Sequence, residues 1–283
     1  MDIRRAIRRT RFRTVSAGAG LALVALAVLP GQIFPAHATT AQAAKPTIVL
    51  LHGAWADSGS WNAVTALLQH AGYTVDAPPN PLRGLPQDSS YLADFLSTIA
   101  GPVVLVGHSY GGMVTTNAAT GNSQVKALVY DDAYVPAQTD TLLGLTTAQS
   151  GSCVVSANPA TVFNEVPYPG APSGDADLYV KQSLFPGCFA NGLPASEAAV
   201  LAATQRPLAA SVLTEQSGPP AWASIPSWDI VGTADHVIPP AEQLFMAKRA
   251  HAHITEVNAP HLSMISDPGV VAAVIIQAAR ATS

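Results

Sequence analysis

The hydrophobic positions of the chain fall into two alternating kinds of segment. Short apolar or β-branched runs predict buried strands, and segments with apolar residues at i, i+3 and i+4 spacing predict helices. The predicted strands are Thr47–His52, Tyr73–Ala77, Val103–Gly107, Val125–Tyr130, Ser227–Val231 and His253–Val257. The predicted helices are Ser60–Ala71, Met113–Thr120, Ala241–Ala250 and Pro268–Ala279, with another around Leu92–Ile99. This alternation predicts an α/β fold with a mostly parallel sheet and right-handed crossovers.

The alternation breaks between about residues 134 and 224. This stretch is rich in Pro, Gly, Ser and Ala, and short helices are predicted near Thr139–Gln149, Asp175–Leu184 and Ala195–Gln205. Roughly ninety residues without a predicted strand are too many for a simple loop. We therefore expect a helical lid, inserted over the C-terminal edge of the sheet.

The N-terminus has the features of a signal peptide. A run of arginines precedes an apolar stretch of 15 residues, Val15–Leu29, and a small-x-small motif ends at Ala38. That stretch is short for a bilayer span, which needs about 20 residues. We expect residues 1–38 to be removed and residues 39–283 to form one secreted domain. A retained anchor and cleavage after Ala43 are the alternatives, and Arg8 and Arg9 leave twin-arginine export open.

Charge and composition restrict the class of partner. The chain is 48% hydrophobic and 11% charged, with a formal net charge of −4. Without residues 1–38 it keeps 8 basic and 17 acidic residues, a net charge of −9. An acidic protein of this kind repels nucleic acid and anionic membranes. The expected partner is a small molecule, with no nucleic acid and no stable membrane association after signal cleavage; the oligomeric state is left open.

Two cysteines, Cys153 and Cys188, lie in the exported part. Because export leads to an oxidising compartment, we expect them to form a disulfide, worth about 3–4 kcal/mol on the chain-entropy model. Two buried free thiols are the alternative. The sequence contains no CxxC and no HExxH motif, so no metal and no cofactor are expected.

The sharpest chemical motif is Gly107-His108-Ser109-Tyr110-Gly111. It fits G-x-S-x-G and lies between a predicted buried strand and a predicted helix. Such a turn exposes the serine hydroxyl at a helix N-terminus, where backbone N–H groups favour developing negative charge. Ser109 is therefore the predicted nucleophile; an ordinary Gly-rich turn is the alternative.

A nucleophilic serine needs a base, and the base needs an acid. Of eight histidines, His261 lies in a turn just past the last predicted strand, at the edge where Ser109 is expected. Asp235 follows the preceding strand, 26 residues earlier. Asp131 and Asp132 also follow a strand and are the alternative acids, or residues that orient the active-site loops. A surface role for His261 is the remaining alternative.

The oxyanion of an acyl-transfer reaction needs two N–H donors. The residue after the nucleophile, Tyr110, supplies one. The other is expected from Ala54, in the loop after the first strand, where Gly53 permits the necessary turn. Trp55 and Tyr134 lie near the expected centre and are the predicted pocket residues.

The order Ser109, Asp235, His261, together with the HGAW, GHSYGG and GTAD segments, resembles the α/β-hydrolase superfamily. HGAWADSGSW and the lid look closest to its small-esterase and hydroxynitrile-lyase branch. The resemblance implies a serine hydrolase with Ala54 and Tyr110 as oxyanion donors. The chain leaves no room before Thr47 for the family's usual first two strands, so a sheet of about six strands is expected rather than eight.

These features predict a secreted serine esterase acting on small to medium apolar acyl or aryl esters through an acyl-enzyme. A hydroxynitrile lyase would use the same three residues plus a lid cation, for which Lys181 is the only lysine available. An acyltransferase or perhydrolase would use the same acyl-enzyme with another acceptor. A non-enzymatic ligand-binding protein on this fold is a fourth reading.

Overall fold

The computed structural model describes residues 45–282, and its main feature is a parallel sheet of six strands. In chain order the strands are β1 (Thr47–Leu51), β2 (Val75–Asp76), β3 (Val103–His108), β4 (Val125–Asp131), β5 (Phe163–Val166), β6 (Asp177–Val180), β7 (Leu208–Ala209), β8 (Ser227–Gly232) and β9 (His253–Val257). The six-stranded sheet has the order β2-β1-β3-β4-β8-β9, and every neighbouring pair is parallel. The predicted α/β fold with about six strands is confirmed. The predicted signal peptide lies outside the described residues.

Helices connect and cover these strands. They are α1 (Asn62–His70), α2 (Leu85–Ser97), α3 (Tyr110–Ala118), α4 (Leu142–Ala148), α5 (Ala195–Thr204), α6 (Pro240–Arg249), α7 (Ser263–Ser266) and α8 (Pro268–Ala281). Short 3-10 turns lie at Ser58–Trp61, Pro159–Thr161, Ala210–Thr214 and Ala221–Ala223. Helix α8 packs against β3, β4 and β8, and α3 packs against β1, β3 and β4. Every residue of β3 and β8 is buried, which is typical of strands covered by helices in a parallel sheet. Strand β3 is accordingly an almost continuous apolar run, whereas β8 also buries Asp229.

Because the six strands are parallel, their carboxyl ends all lie along one edge of the sheet, here called the carboxyl edge. The loops that follow β1, β3, β4, β8 and β9 therefore meet there, and these are the loops that carry Ala54, Ser109, Asp132, Asp235 and His261. In open α/β sheets this edge is where ligands bind. The topology alone brings the predicted chemical residues to one side of the molecule.

The segment between β4 and β8, here called the insertion (residues 134–224), contains strands as well as helices. Helices α4 and α5 lie where two of the short helices were predicted. The predicted helix at Asp175–Leu184 is wrong: β6 occupies its centre, in an antiparallel sheet ordered β5-β6-β7. Leu178 and Val180 are buried in β6. Strands of two to four residues are too short to show a period of two in sequence, so a strandless, helical insertion was expected wrongly.

A disulfide joins two parts of the insertion. Cys153 and Cys188 are bonded, with their Cα atoms 5.6 Å apart, and the predicted pairing is present. It closes a loop across 35 positions that includes β5 and β6. Within residues 45–282, no helix has the length and apolar character needed to cross a membrane.

Candidate active site

Ser109 occupies a strained turn between β3 and α3. Its φ of 53° and ψ of −127° are unusual for a residue with a side chain, and such conformations persist only where surrounding structure enforces them. Its carbonyl accepts hydrogen bonds from the backbone N–H groups of Gly112 (2.9 Å) and Tyr134 (3.2 Å). The turn holds the hydroxyl 3.1 Å from Nε2 of His261.

His261 follows β9 and is fully buried. Its Nδ1 lies 2.8 Å from Oδ2 of Asp235, while Nε2 faces Ser109. With a carboxylate at Nδ1, the neutral ring carries its proton there and leaves Nε2 free to accept the serine proton. The structure therefore brings together the three side chains that the sequence selected.

Asp235 is held by four hydrogen-bond donors. Its Oδ1 accepts from the backbone N–H groups of Val237 (2.6 Å) and Ile238 (3.0 Å). Its Oδ2 accepts from Nε2 of Gln243 (2.7 Å) as well as from His261. These donors compensate a carboxylate buried away from water. Sequence reasoning missed Gln243, since a lone glutamine on a helix carries no local signal of its partner.

The alternative acids do not contact the base. Asp131 accepts a hydrogen bond from the hydroxyl of Ser263 at 2.6 Å, and Asp132 accepts from the backbone N–H groups of Gly232 and Ser263. The carboxylate paired with His261 is that of Asp235. Asp132 instead bonds to both loops that carry the acid and the base, and Asp131 bonds to the loop of the base.

Ala54 and Tyr110 lie close to Ser109. A Cβ placed on Gly53 would stand 2.6 Å from Cβ of Ser109 and 3.1 Å from the backbone nitrogen of Tyr110, so only glycine permits this approach. Among residues 45–282, no acceptor is seen for the N–H of either Ala54 or Tyr110. The Tyr110 hydroxyl donates to Asp88 at 2.8 Å and fixes its side chain. Two amides beside the serine are thus available to a ligand.

A buried histidine fixes the loop that carries Ala54. Nε2 of His52 accepts from the backbone N–H of Asn80 at 2.9 Å, so Nδ1 is the donor to the carbonyl of Gly53 at 2.8 Å. Burial lowers the pKa of His52 to about 4, which keeps the ring neutral. The sequence analysis placed His52 at the end of the first predicted strand and gave it no role.

A cavity of about 320 Å³ opens beside Ser109, and its wall is mostly apolar. Trp55 and Tyr134 line it, as do Ala54 and Tyr110. The insertion supplies most of the rest, including Leu142, Val154, Phe163, Leu178, Leu208 and Leu213. Glu165 is the one charged residue among the lining residues described. The cavity is therefore suited to an apolar group next to the serine.

Aromatic packing joins this cavity to the histidine. The Trp55 ring lies 5.5 Å from that of Phe163 and 5.8 Å from that of Phe189, measured between centroids. Phe189 in turn packs 5.1 Å from the imidazole of His261. The sequence analysis did not identify Phe189, which directly follows the disulfide-bonded Cys188. Within the described residues, no three His, Cys, Asp or Glu side chains are grouped as ligands for a metal ion.

Comparison with known proteins agrees with this architecture. The model of the alpha/beta hydrolase family matches residues 48–274. The carbendazim-hydrolysing esterase of Nocardioides sp. (strain SG-4G) is 36% identical over 110 residues, which are 34% of this chain and 46% of that protein. The chain thus matches less than half the length of this relative.

Several solved structures share the fold at low identity. Tomato methylketone synthase I has a TM-score of 0.69 at 20% identity, covering 85% of this chain and 100% of that one. An extracellular α/β-hydrolase from a Paenibacillus species has a TM-score of 0.66 at 20% identity, covering 82% and 98%. A pyrethroid hydrolase from Sphingobium faniae JZ-2 has a TM-score of 0.62 at 23% identity, covering 83% and 98%. With the family model matching most of its length, this chain belongs to the alpha/beta hydrolase family.

Proposed function

We propose that the protein is a serine-dependent carboxylic ester hydrolase. The observation that carries this proposal is the continuous chain from the Ser109 hydroxyl through His261 to Asp235, with separations of 3.1 and 2.8 Å. Nucleophile, base and acid are in hydrogen-bond reach of one another beside an apolar cavity. The relative from Nocardioides is named as an esterase, which supports the same reaction class.

In the proposed cycle, His261 takes the Ser109 proton as the hydroxyl oxygen attacks the ester carbonyl. The N–H groups of Ala54 and Tyr110 stabilise the negative oxygen of the tetrahedral intermediate. The intermediate collapses as the C–O bond breaks, and His261 protonates the leaving alcohol. Water then repeats these steps on the acyl-enzyme and releases the carboxylic acid.

The cavity supports neutral esters with small to medium apolar acyl or aryl groups as substrates. Its wall is mostly apolar, and the carboxylate of Glu165 disfavours a negatively charged substrate. The Sphingobium faniae structure is named as a pyrethroid hydrolase and the Nocardioides protein for carbendazim, so uncharged aromatic substrates are the first compounds to test.

The competing reactions receive less support. A hydroxynitrile lyase requires a cation facing the substrate, and neither Lys181 nor any other lysine or arginine of the described residues lines the cavity. An acyltransferase or perhydrolase would form the same acyl-enzyme and is distinguished by its products. A purely ligand-binding protein is opposed by the complete set of nucleophile, base and acid.

Export is part of the same proposal. The disulfide between Cys153 and Cys188 is typical of proteins that fold in an oxidising compartment. We propose that residues 1–38 direct secretion and that the chain then acts outside the cell. N-terminal sequencing of the protein recovered from culture medium tests this; an intact N-terminus retained in the membrane would contradict it.

The function is tested with p-nitrophenyl esters of increasing acyl length, together with a lactone, an amide and a cyanohydrin. The wild-type protein is expected to favour short and medium esters, and Ser109→Ala to lose turnover by about 10⁴–10⁶-fold. Ser97→Ala, which alters an exposed serine at the C-terminal end of helix α2, is the matched control and should keep full activity. Most of the activity surviving in Ser109→Ala would reject the proposed nucleophile.

A further inference from the structure

Two adjacent carboxylates at the end of β4 have no part in the proposed cycle. Asp131 and Asp132 are both fully buried, and no lysine or arginine of the described residues forms an ion pair with either. Burying carboxylates without a cation is unfavourable unless hydrogen bonds compensate it. Their partners therefore indicate what the pair does.

The partners belong to the two loops that carry the acid and the base. Oδ1 of Asp132 accepts from the backbone N–H of Gly232 at 2.7 Å, and Oδ2 accepts from the backbone N–H of Ser263 at 3.3 Å. Gly232 ends β8, three residues before Asp235, and Ser263 lies two residues after His261. One carboxylate thus bridges both loops.

Asp131 reinforces one side of this bridge. Its Oδ1 accepts from the hydroxyl of Ser263 at 2.6 Å, while its Oδ2 has no partner among the described residues. Asp131 touches neither backbone N–H that Asp132 holds. The two aspartates are equally buried and adjacent, yet only Asp132 joins the two loops.

The local backbone is adapted to this bridge. Asp132 has a φ of 44°, in the left-handed region that side chains rarely adopt. A Cβ on Gly232 would lie 2.5 Å from Oδ1 of Asp132, so the glycine allows the carboxylate to reach the backbone N–H. Strain of this kind persists where the surrounding structure requires it, and it clusters at functional sites.

We propose that Asp132 is a positioning residue that holds the Asp235 loop and the His261 loop at the spacing needed for the acid–base hydrogen bond. Asp131 supports it through Ser263. The inference rests on the proposed function for its kinetic consequence, although the geometry of the histidine can be observed without turnover.

The test compares Asp132→Asn with Asp131→Asn. An amide at position 132 turns one oxygen acceptor into an N–H donor that faces a backbone N–H, so one of the two loops is released. An amide at position 131 still offers an oxygen to Ser263 and leaves both backbone bonds intact. Because each change replaces one buried aspartate by its amide, the pair compares the residue that joins the two loops with a neighbour that does not.

We expect Asp132→Asn to lower kcat by about 10²-fold, the effect of a misplaced catalytic group, with KM changed less than about twofold. Asp131→Asn should lower kcat by no more than about fivefold. Equal kcat losses in the two variants, or a kcat of folded Asp132→Asn within about threefold of wild type, would overturn the proposal.

Proton NMR of histidine-labelled protein gives a readout that needs no turnover. The Nδ1–H proton of His261, identified by its loss in His261→Gln, should be visible far downfield in wild type and in Asp131→Asn. It should be lost or broadened in Asp132→Asn. If the wild-type signal is present but no ester is hydrolysed, the proposed function fails and the bridge remains testable.

Gly232→Ala covers the case in which Asp132→Asn does not fold. Its added methyl displaces the Asp132 carboxylate and also crowds the backbone carbonyl of Ala259 at 2.8 Å, while neither aspartate is replaced. It should reproduce both the loss of kcat and the loss of the downfield signal. An unchanged signal in folded Gly232→Ala would count against the bridge.

Discussion

The carboxyl edge of the parallel sheet and the insertion that covers it contribute differently to one cavity. At the sheet edge, Ser109, His261 and Asp235 each have specified hydrogen-bond partners and are buried. The insertion contributes mostly apolar side chains, on short helices and a small sheet held by a disulfide. In the proposed function, the reaction type therefore depends on the sheet edge and the substrate preference on the insertion, as expected when sites are built onto a common fold.

The largest effect is expected from removing the base. His261→Ala should lower kcat by about 10⁴–10⁶-fold for every ester, because no other side chain of the described residues forms a hydrogen bond with the Ser109 hydroxyl. The loss is measured as kcat on three esters of different acyl length. His236→Ala, an exposed histidine beside the acid, is the control and should change kcat little. A loss of kcat that depends on acyl length would contradict the assignment of the reaction to the sheet edge and of substrate preference to the insertion.

Removing the disulfide should destabilise the insertion without removing the chemistry. The double variant Cys153→Ser, Cys188→Ser is expected to lose about 3–4 kcal/mol of unfolding free energy, since an open loop of this length gains entropy when unfolded. Urea unfolding measures the loss, and dithiothreitol treatment of the wild-type protein is the matched comparison. Unchanged stability would show that the insertion is held by packing alone.

Asp131 should make stability depend on pH. Burial raises its pKa from 3.8 to about 7, so the folded protein retains a proton that the unfolded chain releases above about pH 4. Its contribution is present in acid and is lost as pH rises towards 7. The stability of Asp131→Asn relative to wild type should therefore increase between about pH 4 and 7 and level off above, by an amount on the order of a few kcal/mol.

Melting temperatures of both proteins across that range test this sign. Asp132, Asp229 and Asp235 also face Asp131, and burial raises the pKa of Asp132 and Asp229 as well. Both proteins retain these groups, so the difference reports the Asp131 carboxyl together with its repulsion of the neighbouring aspartates. A difference that is flat from pH 4 to 7, or that falls, would contradict the prediction.

The smallest effect concerns charge at the insertion. Glu165→Lys should raise kcat/KM for an ester with an anionic acyl group relative to its neutral analogue, because it replaces a repelling charge by an attracting one. The increase should be only about a few-fold, since an exposed charge is strongly screened. Glu165→Gln should give an intermediate ratio, and Glu197→Lys, which changes an exposed residue of helix α5, is the control. The ratio should shrink in high salt. A ratio unaffected by these variants would remove Glu165 from substrate selection.

The same two regions differ in how far sequence could predict them. The buried strands and long helices of the sheet layer carry strong periodic patterns, and parallel topology then brings Ser109 and His261 to one edge. The insertion carries weak patterns, because β5 and β6 have four residues each and β7 has two. The helix predicted at Asp175–Leu184 was therefore wrong. Tertiary pairing, rather than local preference, decides such segments.

Partners distant along the chain were also beyond sequence reasoning. Gln243 reaches Asp235 only because α6 packs beside the acid loop, and Phe189 reaches His261 through the disulfide-bonded turn. The bridge from Asp132 to Gly232 spans 100 positions. The one indication of this bridge in the sequence was the pair of adjacent aspartates after a predicted strand. A catalytic motif identifies the reacting groups but not the residues that position them.

The central claim, that Ser109 is an activated nucleophile, is tested most directly by covalent labelling. A fluorophosphonate ester should modify the protein at one site per chain, and peptide mass spectrometry should place the adduct on Ser109. Labelling should be absent in Ser109→Ala and slowed by at least about 10³-fold in His261→Ala. Ester hydrolysis that continues while Ser109 remains unmodified, or an adduct on another residue that abolishes activity, would contradict the account.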